Sequence, residues 1–181
     1  MATMATAVTR LSDEMRSFKD EMRDDRRDLN RQLGDIANAQ GRLVEDLVAP
    51  SIPRVLRRLL DLPADAAIAP CGPRLRLRHP TDASRTRELD VVAGHDGVAL
   101  VVEVKSQLAP EGVTRFASSL EDAHSFLAPL GIREVMGAVA TLHADASIVA
   151  HASRLGILVL AVGDEMMEPK NPPGFVPRRV S

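Results

Sequence analysis

In ELDVVAGHDGVALVVEVKS, residues 88–106, four ionisable residues besides the His-Asp of the central turn stand in two otherwise apolar runs. Glu88 and Asp90 enter one β-branched run, Glu103 and Lys105 leave the next, and Gly-His-Asp-Gly joins the two. Charges within a sheet are costly unless they are paired or bound to something. With a turn centred on His95 and Asp96, Ala93 is expected to pair with Val98, Asp90 with Val101 and Glu88 with Glu103. Side chains of opposed residues share a face. Thr86, Glu88, Asp90, Glu103 and Lys105 are thus expected on one face. Leu89, Val91, Ala93, Val98, Leu100, Val102 and Val104 fall on the other, with Arg87 at its open end.

Two carboxylates about 4 Å apart repel by roughly 4 kcal/mol at an effective dielectric of 20. Asp90 adds a third negative charge against the single ammonium of Lys105. A hard cation with oxygen ligands would resolve that repulsion, and Mg²⁺ commonly takes one or two carboxylates and leaves its other positions to water and phosphate. Lys105 is itself informative. Of 23 basic residues only Lys19, Lys105 and Lys170 are lysine. Lysine is a compact charge with a tunable pKa, able to orient water or assist proton transfer, whereas arginine stays protonated.

The elements that must position these residues follow from periodicity and punctuation. GRLVEDLVAPSIPRVLRRLLDL reads as helical but interrupted by Pro50 and Pro53. RLRLRH alternates like a half-exposed strand, and the hairpin follows it. Residues 110–130 open with Pro and acid and repeat Val113, Phe116, Leu120 and Leu127, as one amphipathic helix does. Strand REVMGAVATL, helix DASIVAHASRLG and strand ILVLAV complete the order. The proline-rich tail NPPGFVPRRVS is expected to lack regular structure. A meander followed by a strand-helix-strand unit implies an α/β fold, a mixed sheet with helices on both faces.

Residues 1–44 read differently. Leu11, Met15, Phe18 and Met22 are spaced 4, 3, 4, and the pattern resumes at Leu29, Leu33, Ile36, Gln40, Leu43 and Leu47. The eleven-residue step from Met22 to Leu33 is a stutter. So narrow an apolar seam suits self-association through an N-terminal coiled coil, its 37 or so residues giving a stalk of about 55 Å. Residues 45–181 would form the domain.

Composition narrows the function classes. The single cysteine, Cys71, excludes a disulfide framework or a Cys-based zinc site and is expected as a small buried residue. No apolar run approaches the roughly 18 residues of a membrane span, and the start lacks a secretory pattern, so a soluble cytoplasmic protein is expected. Absence of Trp and Tyr argues against base-stacking platforms. Charge is uneven: residues 50–87 hold 8 basic and 3 acidic residues, residues 88–181 hold 7 and 12. Arg54, Arg57, Arg74, Arg76 and Arg78 in the basic stretch are candidates to neutralise nucleic-acid phosphates; the alternative is solvated arginines on a helix and an outer strand. Of the five histidines none has metal-ligand spacing, and His95 is expected in the turn.

Asp90 followed by Glu103-Val104-Lys105 at the end of the next strand resembles the PD-(D/E)XK nuclease superfamily. Its core order of one helix, three strands, helix and strand matches residues 41–141. GRLVEDLVAPSIPR, ELDVVA, VVEVKS and GFVPR together resemble a prokaryotic family with a coiled coil before such a domain. The chain departs from the pattern at Leu89, where a proline often stands. The resemblance implies a restriction-endonuclease-like fold in which Asp90 and Glu103 hold Mg²⁺ (or Mn²⁺). Lys105 would position or activate the attacking water, Glu45 would be an auxiliary ligand, and DNA the substrate. Glu88 is instead expected to pair with Arg74 or Arg76. The rival reading is a nuclease-like module that binds nucleic acid or protein without cutting.

Overall fold

The structure, a computed structural model, describes residues 45–163 and 166–181, together with Met15, Arg16, Phe18, Lys19 and Met22. The chain divides into two units, residues 1–40 and 41–181. In the first, the five described residues are helical, and Met15, Phe18 and Met22 are exposed. The rest of the expected coiled coil lies outside the described residues.

The second unit is a mixed α/β domain built on a seven-stranded sheet. Residues 45–48 are helical and run through a 3-10 turn at Ala49–Ser51 into helix α1, Ile52–Leu59. Both prolines fall where they do least harm: Pro50 lies in the 3-10 turn and Pro53 in the first turn of α1, where the missing N–H has no partner to lose. Strands β1 (Cys71–Arg78), β2 (Thr86–His95) and β3 (Val98–Val104) form an antiparallel meander. Helices α2 (Pro110–Ser118) and α3 (Leu120–Leu127) cross to β4 (Glu134–Thr141), which lies parallel to β3. Helix α4 (Ala146–Arg154) then leads to β5 (Leu158–Ala161), parallel to β4.

The expected single helix over 110–130 is two. Ser119 joins them, its N–H donating to the carbonyls of Arg115 and Phe116, so the chain bends to keep both Phe116 and Leu120 on the sheet. The tail is ordered as well. Glu168–Pro169 forms β6 against β5, and Arg179–Val180 forms β7 against Met136 and Val135 of β4. Asn171 secures the turn between them, accepting from the Val159 N–H at 2.7 Å and donating to Ser153 Oγ and the Ile157 carbonyl.

Two apolar layers sandwich the sheet, which explains the near-continuous apolar runs of β3, β4 and β5. Ala99, Val101, Val135, Val139, Ile157 and Val159 pack against α2, α3 and α4. Val91, Ala93, Leu100, Val102, Met136, Ala138 and Leu158 pack against Val48, Ile52, Val55 and Leu56. Cys71, expected to be buried, is exposed at the start of the edge strand β1.

Candidate functional site

The hairpin register differs by two residues from that expected. His95 pairs with Val98 and Val91 with Val102, so the turn residues are Asp96 and Gly97. Both have positive φ, 44° and 80°, as a tight two-residue turn that follows the strand twist requires. His95 therefore ends β2 rather than forming the turn, and its Nδ1 lies 2.7 Å from the Ala67 carbonyl oxygen. Gly94, read as a turn glycine, is needed for another reason. A Cβ there would meet Pro70 Cδ at 2.9 Å and the Ala69 oxygen at 3.0 Å, because residues 69 and 70 bond directly to its backbone.

A shift of two by itself preserves facing, and from Asp90 to the turn each side chain keeps its face. It also moves Asp90 from opposite Val101 to the position beside Glu103, one step past the last paired residues, Val91 and Val102. There β2 and β3 part, β2 continuing with β1 and β3 with β4. The Val104 N–H donates to Asp90 Oδ2 at 2.8 Å.

The alternation of β2 also breaks at Asp90. Leu89 joins the layer under α2 to α4, whereas Val91 and Ala93 join the layer under α1, so the expected all-apolar face does not include Leu89. The β1–β2 ladder omits the residue across from it: Pro73 pairs with Val91 and Leu75 with Leu89, and between them Arg74 has a positive φ of 52°. For a residue with a Cβ that conformation is strained.

Lys105 Nζ lies 2.7 Å from Glu103 Oε1, with the lysine side chain half exposed. Burial and the charge of Glu103 push the Asp90 carboxyl up to about 6, against the pull of the Val104 N–H and Lys105. Burial alone would lower the Lys105 ammonium, but its hydrogen bond to Glu103 and the charges of Glu103, Asp90 and Glu45 outweigh this and raise it. Glu45 is thus near enough to act on both Asp90 and Lys105.

Asp90, Glu103, Lys105 and Glu45 are therefore brought into one neighbourhood. Hard oxygen donors, one of them held with its proton affinity raised, suit a divalent ion, whose charge would reverse the penalty on the Asp90 carboxylate. Among the described residues, however, no three acidic, histidine or cysteine side chains gather closely enough to hold a metal. Asp90 and Glu103 stand side by side on β2 and β3, while Glu45 Oε2 is engaged by Arg74 Nη1 at 3.0 Å.

The candidate phosphate-binding arginines do not form one open strip. Arg74 bridges Glu45 and Asp46, and Arg76 pairs with Glu88, the partner expected for that acid. Arg57 donates twice to the Ala66 carbonyl and Arg54 once to that of Met167. Arg78 lies exposed at the end of β1. Sequence reasoning missed Asp46, whose role is visible only once residues 45–48 are set against β1. It also missed the latch in which Arg85 and Arg87 both bind Asp122.

No family model and no curated protein matches this chain. Among solved structures it is similar to AF1548, described as a protein of unknown function, with 16% identity and a TM-score of 0.36. That match covers 58% of this chain and 53%, about half, of the other.

Proposed function

We propose that this protein is a metal-dependent phosphodiester hydrolase of the PD-(D/E)XK type, acting on DNA and self-associating through its N-terminal helix. The observation that carries the reading is the placement of Asp90 beside the Glu103–Lys105 pair where β2 and β3 part. Element order agrees with the resemblance: a helix, three antiparallel strands, a helical crossover and a parallel strand.

Asp90 and Glu103 would hold Mg²⁺ or Mn²⁺, which when bound supplies a water of lowered pKa and positive charge for the transition state. Glu103 orients Lys105 through their ion pair. The ammonium, on a half-exposed side chain, can turn toward a water or a phosphate oxygen.

The test is cleavage of duplex and branched DNA with Mg²⁺ or Mn²⁺. Lys105→Ala should lower the rate at least a hundredfold, the usual range for a proton-transfer or positioning group, while melting like the parent. Equal cleavage by the variant would reject the reading.

One observation favours the non-cutting module instead, namely the absence of a three-ligand cluster among the described residues. That reading expects salt-sensitive DNA binding with no turnover under any divalent metal.

A further inference from the structure

Arg74 was grouped by sequence with residues that could touch phosphate, yet its surroundings give it a different task. It lies on the strand next to Asp90, at the position the β1–β2 ladder skips, and its backbone is strained. Its guanidinium reaches Glu45 at 3.0 Å and Asp46 at 2.9 Å. Of those two acids, Glu45 is the one whose charge acts on both Asp90 and Lys105. It is also the more buried, its side chain 17% exposed against 57% for Asp46.

We propose that Arg74 is a positioning residue that withholds Glu45 from the metal seat, leaving Asp90 and Glu103 as a two-carboxylate site until the guanidinium is drawn away. This rests on the hydrolase reading and adds a regulatory step to its site. A carboxylate cannot serve a tightly held guanidinium and a cation with the same oxygen. Arginine suits this role because its planar fork grips two carboxylates at once and, on the same geometry, would accept a phosphate in exchange. The 37% exposure of its side chain leaves it open to such a competitor.

The competing electrostatic explanation is that Arg74 merely repels a cation through space. A double-mutant cycle read by Mn²⁺ calorimetry separates the two. Arg74→Gly suits the positive φ and removes the clamp, and Arg74→Asn, tolerant of the same backbone, is the second variant. Each should bind Mn²⁺ roughly tenfold more tightly than the parent, as an added carboxylate ligand does. That gain should vanish when each is compared in a Glu45→Gln background.

A gain that persists with Glu45→Gln overturns the proposal in favour of bare charge repulsion. Unchanged or weaker binding in both folded Arg74 variants overturns it outright, with the hydrolase reading left standing if the parent binds Mn²⁺. No heat of binding from parent or variants removes the reading and the proposal together. Binding by the variants alone, lost again in the Glu45→Gln background, would make the clamp a full block on the site and support the proposal.

Discussion

Asp90 and Val104 are joined side chain to backbone: the carboxylate accepts the N–H of Val104 where β2 no longer offers a carbonyl to it. The bond ties the parted ends of two strands and fixes the carboxylate in a half-buried place. The same burial makes its ionisation costly, and two predictions come from that conflict.

The first concerns stability. A carboxyl with a folded-state pKa of about 6 against 3.8 in the unfolded chain binds its proton more tightly when folded. Its contribution is fully present below pH 3.8 and is lost as pH rises through about 6. Allowing for solvent reaching part of the group, the loss is of order 1 to 2 kcal/mol. Asp90→Asn keeps an acceptor for Val104 and does not titrate. Urea denaturation should therefore find the variant more stable than the parent by about that amount at pH 7.5, with the gap closing by pH 4. A gap independent of pH would show that Asp90 does not titrate in this range.

The second concerns metal. Divalent ions compete with the proton on Asp90, so Mn²⁺ affinity should rise about tenfold per pH unit up to about pH 6 and level off above it. Calorimetry between pH 5 and 8 reads this directly. A flat profile would place the bound ion on other groups, and Asp90→Asn should abolish the binding.

A third tests the hairpin. Gly94→Ala puts a Cβ against Pro70 and the Ala69 carbonyl, contacts backed by two backbone hydrogen bonds, and should cost about 2 kcal/mol. Gly72→Ala, with nothing within 4 Å of the added atom, should change stability by less than about 0.5 kcal/mol. Equal melting temperatures for the two variants would contradict the close approach described at Gly94.

Much of the element order could be read from the chain because the signals are local: proline and acid open α2, glycine and aspartate close the hairpin, and apolar runs mark the strands. The register could not. Gly94 looks like half of a turn, and the segment that requires it, Ala69–Pro70, comes 24 residues earlier. Similarly, Ser119 gives no breaking signal, and Arg179–Val180 becomes a strand only because β4 offers it a free flank. The site was more legible than the register beneath it, since a slip of two preserves facing and Asp90, Glu103 and Lys105 stayed together. The pairing of Arg74 with Glu45 and Asp46 was not legible because those partners lie 29 and 28 positions away, beyond any local pattern.

β7 has a consequence for colloidal behaviour. Arg179 and Val180 fill the row of backbone groups on β4 at Met136 and Val135, just ahead of where β5 takes over at Ala138. Shortening the protein to residue 177 would bare that row beside an apolar strand, and exposed rows of this kind recruit other chains. Val180 and Arg179 thus cover backbone groups of Val135 and Met136 that would otherwise be open to pairing.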